Sequence, residues 1–208
     1  DWVEEAGIWR LRVPDDEFST AALWRERKSR LYLGAFDLGG NKLRKSKRKG
    51  SDPTVGFVID YTSRPWRVVH YHLIEGGDMD WEQKYQTIQA IYQAYPMQYM
   101  VIDATGQIDS VQEALMDRGV EVEGIQFGGN AGNKKLDMLR NLQLCLELEW
   151  DGRKGLLRSP PIPKVKHELD NYVIPDDRIE QDCVMALAML THHLAQWELP
   201  AAVEGSVY

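Results

Sequence analysis

The sequence predicts an α/β fold, a mixed sheet flanked by helices, on three observations. Short apolar runs bounded by glycine, proline and aspartate recur through the middle of the chain. The first three are consecutive, with no helical pattern between them, as in an antiparallel meander. Helical and strand patterns then alternate, which places helices over the faces of the sheet.

Residues 1–30 carry weak periodicity, several charges and a turn signal at Pro14-Asp15-Asp16. They read as an N-terminal tail or linker from an upstream domain, with one domain expected over 31–208. Leu31 to Leu38 is an almost unbroken apolar run stopped by Gly39-Gly40, as in a strand buried on both faces. A basic segment and Ser51-Asp52-Pro53 lead into a β-branched and aromatic run, Thr54 to Tyr61. Ser63-Arg64-Pro65 then turns the chain into a third strand, Arg67 to Ile74. Asp80 to Tyr95 has a helical pattern, Met97 to Asp103 returns as an apolar strand, and a helix from about Ser110 to Arg118 ends at Gly119, a C′ glycine. A strand follows over Val120 to Phe127. Asn133 caps a long helix from Lys134 to about Glu149, and Pro160, Pro161 and Pro163 interrupt the chain. Helices from Lys164 to Tyr172 and from Glu180 to Trp197 complete the order β-β-β-α-β-α-β-α-α-α.

Composition narrows the class. At 208 residues, 43% hydrophobic and 27% charged, the chain suits one ordered globular core. Cys145 and Cys183 lie far apart in apolar stretches, so neither a disulfide framework nor a zinc spacing is visible and a reducing cytoplasm is expected. No signal peptide and no apolar run of membrane-spanning length is readable, so no membrane partner is expected. A net charge of −7 opposes a polyanionic partner in general. Its distribution reverses that expectation locally, because Lys42, Arg44, Lys45, Lys47, Arg48 and Lys49 concentrate positive charge in one segment.

Two buried strands end in an acid, Asp37 in Leu-Gly-Ala-Phe-Asp-Leu-Gly-Gly and Asp103 in Met-Val-Ile-Asp-Ala-Thr-Gly. A carboxylate in apolar surroundings is costly unless paired, hydrogen-bonded or metal-bound. If the two strands are parallel neighbours, about 4.8 Å apart, the acids meet at the carboxyl edge where α/β sheets place ligands. The alternative is that each Asp only closes a turn. A third acid, Asp182, opens a helix whose Val184, Leu187, Ala188 and Thr191 share one face, ready to pack on the sheet. Asp182 also suits the positive end of that helix dipole, which by itself is a purely structural role. Three carboxylates with no cysteine or histidine at ligand spacing select hard cations, Mg²⁺ or Mn²⁺, over zinc. Two such ions would activate a water and stabilise the leaving oxygen of a phosphodiester.

The basic segment falls between the first two strands, just after Asp37. A solvated loop is the ordinary reading of such a run, but beside a cutting site it would hold DNA phosphates without reading sequence. Lys134 and Lys135 open a helix against the dipole preference and read equally as further phosphate contacts or as ordinary surface lysines. His70 and His72 share a strand face without a visible third ligand, and His192-His193 reads as a complement to a helix end. Trp66, Trp81, Trp150 and Trp197 read as packing or edge residues.

Over roughly Arg30 to Trp197 the chain resembles the C-terminal nuclease domain of the large terminase subunit of tailed bacteriophages. The resemblance rests on strand-terminal Asp37, on Asp103 followed by Gly106, on the Asn133-Lys134-Lys135 helix start, and on Asp182-Cys183-Val184-Met185-Ala186-Leu187-Ala188, the most specific of the four. It implies a ribonuclease H-like fold over 31–208 and a two-metal endonuclease that cuts concatemeric double-stranded DNA during genome packaging. Asp37, Asp103 and Asp182 would be its catalytic and metal-binding residues. It further implies a packaging ATPase domain, a small terminase and a portal as partners, in the cytoplasm of an infected host cell.

Many members of that family have Gly-His-Asp-Asp before the last helix. Here the segment is Ile179-Glu180-Gln181-Asp182, so an assisting role for Glu180 or Asp177 stays open. No Gly-x-x-x-x-Gly-Lys-Ser/Thr loop occurs, and ATP hydrolysis is not expected of these residues. Two competing functions share these features: another ribonuclease H-like nuclease, such as a junction resolvase or transposase catalytic domain, and a DNA-docking module without catalysis.

Overall fold

The computed structural model describes residues 2–5, 8–11, 29–39, 53–74, 80–103, 108–125, 132–173 and 181–198. Its strands are β1 (Trp2–Glu5), β2 (Ile8–Leu11), β3 (Tyr32–Asp37), β4 (Thr54–Asp60), β5 (Trp66–Ile74), β6 (Met97–Asp103), β7 (Val122–Ile125), β8 (Glu149–Trp150), β9 (Arg153–Lys154) and β10 (Leu157–Arg158). Its helices are α1 (Trp81–Ala94), α2 (Ile108–Met116), α3 (Gly132–Glu147), α4 (Pro163–Asn171) and α5 (Asp182–Glu198). Among the described residues one mixed sheet has the order β1-β2-β5-β4-β3-β6-β7, with β10 pairing β5.

The meander β3-β4-β5 is antiparallel, whereas β6 joins β3, and β7 joins β6, in parallel. This is the predicted architecture. Three pieces depart from the sequence reading. Two strands lie within the expected tail, and β2 pairs with β5 through Trp9↔Tyr71 and Arg10↔His70. The long helix α3 ends at Glu147, and a hairpin, β8 with β9, turns through Asp151 (φ 51°) and Gly152 (φ 68°). Positive φ at both turn residues matches the right-handed strand twist, which is why Asp-Gly suits this turn. The chain then returns to the sheet as β10, parallel to β5.

Strand alternation sorts side chains into two layers. Leu33 and Ala35 of β3, Phe57 of β4 and Val101 of β6 pack with α3, α4 and α5 on one face. Tyr32 and Phe36, Val58, Met100 and Ile102 pack with α1 and α2 on the other. At Gly56 a Cβ would fall 2.1 Å from Phe36 Cε1, so this glycine makes room for the ring beside Asp37. Helix α5 is buried on all sides from Cys183 to Thr191, because the sheet takes one face and α3 and α4 take others. Helix α1 opens on a reciprocal Asp80–Gln83 capping box. After α2 the amide of Gly119 (φ 73°) donates to Met116 O and that of Val120 to Leu115 O, the double bond of a Schellman ending.

Candidate active site

The strand register brings the two strand-terminal acids together. Asp37 and Asp103 are direct partners across the parallel β3–β6 pair, at the carboxyl ends of both strands. Alternation puts each on the face of Leu33, Ala35 and Val101, the face that α5 covers. Both side chains are half-buried, where a carboxylate is partly stripped of water and a cation or donor gains most.

Register also fixes how α5 lies over that face. Asp37 shares a cross-sheet row with Val55, Leu73 and Asp103, and the next same-face row is Tyr71, Phe57, Ala35 and Val101. Cys183 Sγ lies 4.0 Å from Tyr71 Oη, so α5 starts over the row adjacent to the acids. Further along, His193 Nδ1 is 3.3 Å from Tyr99 Oη, deeper along β6. The helix therefore descends away from the acidic edge, and Asp182, its first residue, stands at the near end.

The start of α5 is held from two other helices. Its first intrahelical bond runs from Met185 N–H to Gln181 O, which makes Gln181 the N-cap residue. A short Ser, Thr, Asp or Asn side chain at an N-cap accepts the next free amides, a geometry that the longer Gln does not favour. Here the Gln181 side-chain oxygen instead accepts from Lys135 Nζ of α3 at 3.0 Å. The amides of Cys183 and Val184 donate to Glu168 Oε2 of α4, at 2.7 and 3.3 Å. The chain leaving β3 is pinned as well: Gly39 N–H donates to Thr54 Oγ1 at 3.1 Å, and Gly39 O accepts from buried Lys84 Nζ at 2.7 Å. Burial lowers the Lys84 pKa, and its ammonium also lies 4.8 Å from the centre of the Trp81 ring.

Not every expected residue is gathered. Among the described residues no three His, Cys, Asp or Glu side chains stand close enough together to hold an ion. Asp37 and Asp103 are brought into register at the edge of the sheet, whereas Asp182 opens α5. The donor set of carboxylates still fits a hard cation, because all its donor atoms are oxygen. Lys42, Arg44, Lys45, Lys47, Arg48 and Lys49 lie outside the described residues, as do Asp177 and Glu180. Lys134 is exposed on the first turn of α3, while its neighbour Lys135 is half-buried against Gln181.

Sequence reasoning passed over Lys84 and Glu168. Lys84 precedes Ile88 and Ile91 by i+4 and i+7, and Glu168 follows Val165 by i+3, so both lie on buried helical stripes. A charge on such a stripe is the signal that would have found them. The histidines resolve into packing. His70 and His72 stack with centroids 6.0 Å apart, and His70 Nδ1 lies 3.4 Å from Tyr95 Oη. Burial lowers the His193 pKa, and α5 continues to Glu198, so His193 packs with Tyr99 rather than complementing a helix end. Trp66 is fully buried in the core, as expected.

No protein-family model and no curated protein matches the chain. Solved structures do. The large terminase nuclease of thermophilic phage G20c with bound zinc superposes with a TM-score of 0.64 at 18% identity, covering 95% of this chain and 92% of that one. The same nuclease with bound magnesium gives 0.63 at 19% identity over 91% and 89%, and with bound cobalt 0.63 at 18% over 91% and 89%. The fold is that of the large terminase nucleases. The mixed sheet flanked by helices, expected from the sequence, is thus shared with these nucleases in a superposition that covers 95% of this chain. At this identity the likeness extends to the architecture alone.

Proposed function

We propose that this chain is a metal-dependent endonuclease that hydrolyses DNA phosphodiester bonds, with Asp37, Asp103 and Asp182 as its catalytic carboxylates. One observation carries the reading: two acids in register at the carboxyl edge of adjacent parallel strands, within a terminase nuclease fold. Two acids on neighbouring strand positions suit a place where a cation is to be held between them. The magnesium-bound, cobalt-bound and zinc-bound neighbours support a divalent ion in this fold.

Asp37 and Asp103 would hold the ions from the strand side and Asp182 from the helix side, with Mg²⁺ or Mn²⁺ as the fitting cations and two ions as the expected number. Such ions, when bound, supply an activated water and stabilise the leaving oxygen. The remaining work falls to the chain. Three carboxylates on three rigid elements fix the position of the scissile phosphate, and the half-buried edge limits competing solvent. Lys42, Arg44, Lys45, Lys47, Arg48, Lys49 and Lys134 would hold the flanking double-stranded DNA through its phosphates. In this reading the chain is the cutting unit of a packaging machine, acting with an ATPase domain, a small terminase and a portal in the host cytoplasm. No helix among the described residues is long and apolar enough to cross a membrane.

The deciding experiment is plasmid cleavage with Mg²⁺ or Mn²⁺, with EDTA, and with folded Asp37→Asn, Asp103→Asn and Asp182→Asn proteins. Cation-dependent cutting lost in all three variants is the expected result. Cutting that survives Asp182→Asn would assign the third ligand elsewhere. No cutting by the wild type under any condition would favour a DNA-docking module.

A further inference from the structure

Strands β5 and β10 run side by side in parallel, with Leu157 opposite Trp66 and Arg158 opposite Arg67. Leu157 and Trp66 are buried in the core that packs with α3, α4 and α5. Alternation therefore turns Arg67 and Arg158 to the other face, where both are exposed. Two like charges directly opposite on neighbouring strands are destabilising. An acid between them would remove the conflict, and the chain has acids in excess, 32 against 25 lysines and arginines. Asp60, the β4 partner of Arg67 in register, is instead engaged by Arg30 at 2.7 Å.

The β8–β9 hairpin adds a third cation. Arg158 Nη1 donates to the carbonyl oxygen of Lys154 at 2.7 Å, which holds the guanidinium at the backbone of the residue whose own side chain is exposed. Positive φ at Gly152 (68°) and Gly155 (88°) sets the path of this segment, and buried Leu156 and Leu157 fasten it to the core. Lys154 is in register with Glu149 on β8 but forms no ion pair with it. Among the described residues no carboxylate lies within ion-pair distance of Arg67, Lys154 or Arg158. The three form a cationic strip on a chain of net charge −7.

Protein partners are met through an apolar, often aromatic centre from which charged residues are depleted. Here the large exposed apolar side chains among the described residues, Leu31, Met116, Leu136, Leu144 and Val173, all lie outside β5, β9 and β10. Nucleic-acid contacts are instead rich in positive charge, and a guanidinium meets phosphate through paired donors. The strip is also well removed from the acidic edge. Leu73 shares the row of Asp37 and Asp103, and Arg67 lies at the other end of β5, about 20 Å away at the usual strand rise and on the opposite face. We propose that Arg67, Lys154 and Arg158 form a second contact surface for DNA phosphates, separate from the acidic edge. The inference rests on the reading above that DNA is the substrate. The strip holds duplex away from the point of cleavage and takes no part in the chemistry.

The test is anisotropy of a labelled duplex in EDTA over a range of salt concentrations, so that binding is read without cutting. Arg67→Gln/Arg158→Gln is compared with wild type and with Arg140→Gln/Lys166→Gln, which removes the same charge from exposed side chains of α3 and α4 that already have acid partners, Asp137 and Asp170. We expect the strip variant to bind about tenfold or more weakly at low salt, with the log–log slope reduced by up to about 1.8, and the control to stay close to wild type. Arg67→Lys/Arg158→Lys keeps the charge and should keep most of the slope. Equal affinity and slope in the strip and control variants would overturn the proposal and leave the strip to an acidic protein partner. A wild-type chain that holds no duplex at low salt would overturn it too. If Arg67→Gln/Arg158→Gln does not fold, Arg67→Gln/Lys154→Gln leaves the Arg158 hydrogen bond in place and is read by the same criteria. Mg²⁺-dependent plasmid cleavage by the wild type is measured alongside: a chain that binds through the strip but never cuts sinks the nuclease reading alone, and one that cuts while the strip variant binds like the control sinks only this proposal.

Discussion

Asp37 and Asp103 are register partners on parallel strands, so the β3–β6 ladder fixes the spacing of the two backbone positions that carry the acids. Like charges on directly opposite residues of neighbouring strands oppose folding where no cation lies between them. Replacing one with its neutral isostere should raise stability by about 1 kcal/mol in the absence of divalent ions while reducing cleavage by about 100-fold or more. Urea unfolding of Asp37→Asn and Asp103→Asn in EDTA, set beside their cleavage rates, reads both effects. A loss of stability in both variants would mean that the acids are structural.

Gly56 is predicted to be intolerant of a methyl group. Its Cβ would lie 2.1 Å from Phe36 Cε1, with the ring held between strands and α1 and unable to withdraw. Gly56→Ala should destabilise the fold by about 1–3 kcal/mol. Gly34→Ala is the control, since its nearest atom is the flexible Met97 sulfur at 2.8 Å. Equal midpoints for the two variants in chemical denaturation would contradict this difference.

The basic segment is expected to act through phosphate charge. Neutralising Lys45, Lys47 and Arg48 together should weaken DNA binding and flatten its salt dependence, with a log–log slope reduced by up to about 0.9 for each phosphate released. Fluorescence anisotropy with a short duplex over a range of salt concentrations checks this. An unchanged slope would reject the role.

The pole of the sheet opposite the acids depends on Asp60. Burial alone would raise its pKa, but hydrogen bonds from Thr62 and Arg30, with the charge of Arg30, outweigh burial and hold the carboxyl below its usual value. Arg30 Nη1 lies 2.7 Å from Asp60 Oδ2, and Thr62 N–H donates to Oδ1 at 3.0 Å. A depressed folded-state pKa means that this stabilisation is complete above the ordinary carboxyl value of 3.8 and is lost as pH falls through the lower folded value. Asp60→Asn should accordingly cost about 1–3 kcal/mol at neutral pH, with the difference from wild type narrowing below about pH 4. Parallel stability curves from pH 7 down to about pH 3 would exclude the mechanism.

Much of the architecture was legible because burial and periodicity leave local marks. The apolar runs ending in Asp37 and Asp103, the Gly119 helix ending and the face formed by Val184, Leu187, Ala188 and Thr191 all reappear in the structure. The β8–β9 hairpin is equally marked, by Asp151-Gly152, although strands of two residues are too short to leave a period-2 pattern. His193 misled for a different reason: proximity to a helix end suggests a charge, whereas its pairing with Tyr99 depends on a strand almost a hundred residues earlier.

What the sequence alone determined is the set of elements and the acids at their ends, since each follows from the pattern within a few neighbouring residues. What only the tertiary structure decided is who meets whom. It paired Asp37 with Asp103, laid the start of α5 beside that row, and brought Glu168 from α4 and Lys135 from α3 to the turn carrying Asp182. Those choices rest on hydrogen bonds between residues far apart in the chain, whose partners no local pattern can name. Packing and register select them together, because a strand shifted by one residue would turn every acid to the opposite face.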